Sequence, residues 1–318
     1  MSPAVDAAGR SQPSVSVIVC TRDRAESCRD TLARLLESRP AGCQLVVVDQ
    51  SRGEETREAL ARIVGADDLT YLRSDSRGLS AARNEGAAAS TGDLLLFTDD
   101  DCLPDADWIP AWRDCFAAEP EIGVGFGQVS CPPYDPTKGY TAGFNTRDGS
   151  HGKEIFRLGA GHVGMGANMV VRRHVWQSLG GFDEGLGAGS RFPAGEDADL
   201  AYRALKSGYP VRHLTAARVW HYGYRPGSSA SHLMRGYVVG IAAMYAKHAR
   251  CGDGYAVHLL GIETWHHVVG VARRLLNRTR PLGLIGLLYF LRGVGWSWSS
   301  PIDTRFRLYG SKDAAHAR

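Results

Sequence analysis

The chain has 318 residues, 44% hydrophobic and 22% charged, the balance of a soluble globular protein with room for one large domain or two unequal ones. Its formal net charge of +3 is too small to point to a nucleic-acid partner. Seven cysteines, an odd number with no CxxC pair, argue against a disulfide framework or a zinc site and for a reducing compartment.

Residues 1–13, "MSPAVDAAGRSQP", hold no apolar run of a secretory signal and read as a disordered lead-in; the expected location is cytoplasmic. "VSVIVC" (15–20) and "QLVVVD" (44–49) are apolar, β-branched runs expected to be buried strands. Helical stretches follow each, at about 26–38 and 54–64. "LTYLRS" is a third short strand. "GLSAARNEGAAASTGD" (78–93) reads as an Ala-rich helix stopped by Gly92, and "LLLFT" as a fourth strand. Strands alternating with helices predict an α/β fold on a mostly parallel sheet. In such a sheet, ligands bind beyond the strand carboxyl ends.

The Gly- and Pro-rich stretch 123–166 reads as an irregular connection, with a flexible loop near 134–152. "NMVVRR" (168–173) reads as a strand, and 196–207 as a helix stopped by Gly208 and Pro210. The expected catalytic unit is 14–226. Residues 227–305 have helical apolar spacing and form a C-terminal helical extension, with 306–318 as a tail. The most apolar part, "PLGLIGLLYFLRGVGWSWS" (281–299), is broken by Arg292 and falls short of the about 20 residues a membrane span needs. It can pack on the catalytic unit, contact the cytoplasmic face of a membrane, or form a homodimer interface.

Four groups of residues could carry chemistry. Asp99, Asp100 and Asp101 end the fourth strand. Like charges side by side repel, so they are either a solvated turn or a site for a hard cation such as Mg²⁺ or Mn²⁺. Glu196 and Asp197 open a helix in "GEDADL", where acids cap the helix dipole; three acids exceed what a cap needs, and an ionised Asp197 could act as a general base. Asp49 ends a strand, as a turn residue or an acceptor for a ribose or base edge. His221, in "VWHYGY", is a packed histidine or a nitrogen ligand beside Asp101. "GAGHVG" (159–164) fits G-x-G-x-x-G but lacks the strand-turn-helix context of a dinucleotide site.

Taken in order, "VSVIVCTRDR", "LVVVDQSRG", "GLSAARNEGAAASTGDLLLFTDDDC", "GANMVVRRHVWQSLGGFDE", "GEDADLAYRALKSGYPV" and "VWHYGY" resemble a family-2 glycosyltransferase of the GT-A fold over residues 15 to about 225. The resemblance implies an inverting enzyme using a nucleotide-sugar donor (UDP-, dTDP- or GDP-sugar). It implies that Thr21 and Arg24 lie by the nucleotide, that Asp49 binds the nucleobase or ribose, and that Arg77 reaches the nucleotide. Asp99 or Asp100 would contact the ribose, Asp101 the metal on the diphosphate, and Asp197 would be the base, with Glu196 beside the acceptor. The acceptor hydroxyl, on a glycan, a lipid-linked sugar or a small molecule, is left open. A nucleotidyltransferase and a catalytically silent nucleotide-sugar-binding or scaffolding module are the competing readings.

Overall fold

A computed structural model describes residues 12–65, 69–276 and 282–310. Most of the expected lead-in (1–13) and tail (306–318) lies outside the described residues. In chain order the elements are β1 (Val15–Thr21), α1 (Ala25–Ser38), β2 (Gln44–Asp49), α2 (Glu55–Ala61), β3 (Thr70–Arg73), α3 (Leu79–Ala89), β4 (Leu94–Asp99) and β5 (Cys102–Pro104). There follow α4 (Trp108–Ala118), β6 (Val124–Ser130), β7 (Gly139–Tyr140), β8 (Gly149–His151), β9 (Asn168–Arg172), α5 (Arg173–Ser178), α6 (Glu196–Lys206), β10 (Val211–His221) and β11 (Arg225–Pro226). Three long helices close the fold, α7 (Gly227–Arg250), α8 (Gly254–Leu276) and α9 (Leu282–Trp298).

The central sheet has the order β3-β2-β1-β4-β9-β6-β10-β5, with β8 also on β10. β1, β2, β3, β4, β6 and β10 run one way, and β5, β8 and β9 the other. The sheet is thus mostly parallel, and the near-continuous burial of β1, β2 and β4 follows from helices covering both faces. Parallel registry places Thr21 beside Asp49 and Cys20 beside Asp99. The carboxyl ends of β1, β2 and β4 therefore meet on one edge, where the ligand crevice of an open α/β sheet lies.

The expected irregular connection begins instead with a buried central strand, β6. Its sequence, "VGFGQVS", hides the strand because two positions are glycine. A Cβ on Gly125 would meet the Trp112 ring at 2.7 Å, and one on Gly127 the Ala217 carbonyl at 2.2 Å. Close approach of neighbours, and not a turn, requires these glycines. Beside them Asn168 is a buried polar hub. Its Oδ1 accepts from Trp108 Nε1 at 2.8 Å and its Nδ2 donates to the Ala217 carbonyl at 2.8 Å.

The helices α7 and α8 share a core with one face of the sheet, through Val239, Ala243, Met244, Tyr245, Ala256 and Leu259. A buried ionic cluster fastens α7. Lys247 Nζ lies 2.5 Å from Asp183 and 2.6 Å from Asp199, while Asp199 also accepts from Arg203 Nε at 2.8 Å and His248 Nε2 at 2.8 Å. Asp199, the third acid of "GEDADL", is consumed here. All seven cysteines are free.

Candidate active site

The three aspartates do not act alike. Asp100 turns inward: its carboxylate accepts from Thr21 Oγ1 at 2.7 Å and Arg24 Nη1 at 2.9 Å, and its own carbonyl accepts from Thr31. Burial, the largest influence, outweighs Arg24 and Thr21 and lifts its carboxyl to about 6. Arg24 Nη1 also reaches Asp101 Oδ2 at 3.0 Å. One guanidinium thus spans two consecutive carboxylates and offsets their repulsion.

Asp99, Asp101, Cys102 and His221 bring their ligand atoms within 4.8 Å of one another. The antiparallel register of β10 on β5 sets His221 opposite Cys102 and hence beside Asp101, with Nε2 to Oδ1 3.3 Å. His221 Nδ1 donates to the Ala142 carbonyl at 2.8 Å, which leaves Nε2 as the atom facing the aspartates. Burial draws the imidazole down, but its hydrogen bond to Asp101 and that carboxylate's charge hold it above the ordinary value. Burial opposes ionisation of Asp101 too, yet His221 and then Arg24 bring it below the usual carboxylate range. A Cβ on Gly223 would stand 2.5 Å from His221 Nε2 and 2.7 Å from Asp101 Oδ2, so a glycine keeps this cradle open. Two carboxylates and an imidazole suit Mn²⁺ or Mg²⁺. Cys102 does not, since burial pushes its thiol well up and sulfur is a soft donor.

The acidic pair at the start of α6 faces the same space. Gly195 precedes it with φ +93°, a conformation that favours glycine. Asp197 Oδ2 accepts from Gly166 N at 2.8 Å and Oδ1 from Ala198 N at 2.7 Å. Glu196 accepts from Arg83 Nη1 at 3.0 Å, and Arg83 Nη2 reaches Asp99 at 3.2 Å. Burial first, then the neighbouring Asp197, raises the Glu196 carboxyl to about 7, against the pull of Arg83. Burial raises Asp197 as well, against Arg83 and its own backbone donors.

Arg83, Asp99, Glu196, Asp197 and His221 line one cavity of about 710 Å³. Its far side is apolar and comes from α7 and α9, with Leu233, Met234, Tyr237, Ile241 and Phe290. Gly159, Gly161 and Gly164, from the rejected "GAGHVG", form another wall. They lie in or beside two short 3₁₀ turns and bind no dinucleotide fingerprint helix.

Asp49 is fully buried. Its Oδ1 accepts from Ser51 N at 2.8 Å and its Oδ2 from the Tyr71 hydroxyl at 2.6 Å, with Arg73 3.6 Å away. Burial, then this hydrogen bond, pushes the Tyr71 phenol to about 12. Arg77 is exposed in the loop between β3 and α3. The sequence reading missed Arg83, which sits in "SAARNEG" on a buried helix face otherwise made of serine, alanine and glycine. A long cation between small buried residues was the available signal. It also missed Tyr237, because α7 carries no motif.

Residues 16–180 match the description "Glycosyl transferase family 2". The chain belongs to this family. The glycosyltransferase is similar to a glucosyl-dolichyl phosphate glucuronosyltransferase of Haloferax volcanii, 29% identical over 220 residues, covering 65% of this chain and 68% of that one. It is 28% identical over 218 residues to a pre-mycofactocin glycosyltransferase of Mycobacterium tuberculosis, covering 67% of this chain but 43% of that one. Among solved structures, the mannosyltransferase PcManGT from Pyrobaculum calidifontis, in complex with GDP-Man and Mn²⁺, has a TM-score of 0.59 at 20% identity, covering 96% of this chain and 78% of that one. GalNAc-T7 with UDP, GalNAc and Mn²⁺ has a TM-score of 0.54 at 17% identity, covering 91% and 57%. The fold of this glycosyltransferase is therefore GT-A. Among the described residues, no helix is long and apolar enough to cross a membrane.

Proposed function

We propose that this glycosyltransferase moves a sugar from a nucleoside-diphosphate sugar to an acceptor hydroxyl with inversion at the anomeric carbon. The observation that carries this reading is Arg83, which joins Asp99 of the aspartate cluster to Glu196 of the acidic pair along one cavity wall. Two acidic groups from distant parts of the chain face a shared space, as an in-line displacement needs a leaving-group side and a nucleophile side.

Asp99, Asp101 and His221 are the residues that would hold a divalent ion, Mg²⁺ or Mn²⁺. When bound there, the ion supplies positive charge to the diphosphate leaving group. The solved neighbours with Mn²⁺ and with GDP-Man or UDP support a metal and a nucleotide donor. Thr21, Arg24 and Asp100 hold the aspartate turn in shape, and Arg24 adds a cation beside the nucleotide. Asp49, beneath Tyr71 and Arg73, shapes the nucleoside side, with Arg77 at its rim.

Asp197 is the base. It accepts the proton of the acceptor hydroxyl as the new bond forms, and the two backbone N–H groups keep its carboxylate oriented. Glu196, held by Arg83, fixes the neighbouring charge and borders the acceptor space. The apolar half of the cavity, from Leu233 to Phe290, would take the body of the acceptor.

The test is acceptor-dependent release of nucleoside diphosphate, with the anomeric configuration of the product read by NMR. Inverted product and acceptor-dependent release support the reading. Retained configuration would remove the single-displacement role of Asp197, and nucleoside monophosphate with pyrophosphate would replace glycosyl transfer by nucleotidyl transfer.

A further inference from the structure

The outward face of α9 is apolar where a helix at a water-facing surface is normally polar. The helix buries Phe290, Gly293 and Ser297 along one side. The opposite line carries Leu284, Leu288, Leu291 and Trp298, at i, i+4, i+7 and i+14, exposed by 44%, 57%, 51% and 66%. Successive 100° steps bring these four side chains into one narrow stripe. Among the described residues nothing covers it, and in 17 residues α9 holds a single charged side chain, Arg292.

Cations and indoles border the stripe. The Arg292 guanidinium stands 4.0 Å from the Trp296 ring centre and that of Arg250 5.5 Å from Trp298. Charge is also divided unevenly along the chain. Residues 227–305 contain nine Lys or Arg and three Asp or Glu, a net +6, against −3 for the remainder. Four of those arginines, at 273, 274, 278 and 280, fall within eight residues of sequence.

We infer that the α9 face is a docking surface for an anionic phospholipid bilayer, on which the helix lies in the interface without crossing it. Apolar side chains flanked by Trp and Arg suit the boundary between acyl chains and negatively charged headgroups. A second copy fits less well: a two-fold interface sets the same patch against itself, and α9 offers no acid to answer the Arg292 of the other copy. The active-site cavity adjoins the same helices from their buried side, where Phe290 of α9 and His267 of α8 line it. The inference concerns surface attachment and stands apart from the proposed reaction.

The experiment is flotation of the full chain with phosphatidylcholine vesicles, with and without phosphatidylglycerol. The expected result is flotation only with the phosphatidylglycerol vesicles and release by salt. The double substitution Leu288→Glu/Leu291→Glu lies on exposed positions, so it should leave the circular dichroism spectrum and melting temperature unchanged while weakening vesicle binding by about tenfold or more. Three outcomes overturn the inference. One is a wild type that does not float with anionic vesicles, and another is a double variant that floats as the wild type does. The third is a wild-type dimer, seen by light scattering, that the same substitutions split with neither protein floating, which makes the face a contact between copies.

Discussion

Arg83 Nη1 stands 3.0 Å from Glu196 Oε1, a buried ion pair between residues 113 apart in the chain. The other arm of the same fork reaches Asp99. Arg83 is 2% exposed, so its desolvation must be offset by charge, from Asp99 and Glu196 first and from Asp197 beyond them. It ties the start of α6 to the end of β4, and so the two acidic groups of the site to each other.

Replacing Arg83 with Gln strands two buried or half-buried carboxylates without a cation. The expected loss is about 3–5 kcal/mol of stability, measured by thermal or denaturant unfolding, together with a fall in turnover. Arg83→Lys keeps the charge but not the planar fork. It should unfold less readily than Arg83→Gln and still turn over more slowly than the wild type. Wild-type turnover in Arg83→Gln would show that the bridge is irrelevant to the site.

Asp197→Asn should lower turnover by ~10² to 10⁴, the ordinary contribution of a general base. Donor binding, followed by calorimetry, should stay near normal. Both carboxylate oxygens now accept from backbone N–H groups. The Asn amide therefore turns an NH₂ toward a donor, so about 1–3 kcal/mol of stability should be lost as well. A collapse of donor affinity with turnover intact would reassign Asp197 to binding.

Lys247→Met removes a cation that lies within 2.6 Å of both Asp183 and Asp199. Two carboxylates in the core shared by the sheet and α7 are left facing each other. The expected destabilisation is about 3–5 kcal/mol, read from urea unfolding. A variant as stable as the wild type would mean that packing alone holds α7 in place.

Acid should weaken the same cluster. Burial, the largest influence, pulls His248 from 6.5 down to about 4, against its hydrogen bond to Asp199 and that residue's charge, with Lys247 and Arg203 adding to the fall. Among the described residues its Nδ1 has no hydrogen-bond partner, so a proton there would be a buried donor with no acceptor among them. The unfolded chain thus takes up a proton below pH 6.5 that the folded protein refuses until about 4, and stability falls as the pH drops through that window. Asp199, held below its ordinary value by Lys247 and Arg203 against burial, continues the loss at lower pH. Asp183, raised by burial, offsets part of it. Glu196 and Asp100, raised to about 7 and about 6, act with the opposite sign over the same range, so the cluster is read by difference: the melting temperature of the wild type relative to His248→Phe should fall as the pH drops from 6.5 to 4.

Much of this was readable in the residues. Apolar runs ending in Asp49 and Asp99 gave away the parallel strands, because burial on both faces demands unbroken apolar sequence. The order of the acidic motifs announced the family. β6 was hidden because its glycines serve neighbours distant in sequence, Trp112 and Ala217, and no local pattern records that. The unequal fates of the aspartates were also unreadable, since Asp100 is turned inward by Thr21, Arg24 and Thr31 across 69 to 79 residues. Asp49 read as a turn residue or a ligand contact, and its bonds to Ser51 N and the Tyr71 hydroxyl join loops that no strand pattern records. The cavity's apolar half comes from α7 and α9, whose side chains obey packing and carry no motif.

The central claim is that Asp99, Asp101 and His221 serve a metal-dependent nucleotide site. The most direct measurement is calorimetric binding of UDP, dTDP and GDP to the folded protein, each with Mn²⁺ and with EDTA, repeated on Asp101→Ala. The account predicts that one nucleotide binds with Mn²⁺ and that binding is lost both in EDTA and in Asp101→Ala. Binding of none of the three, or binding that survives EDTA and the substitution alike, would contradict it and leave the aspartates as a turn that Arg24 holds together.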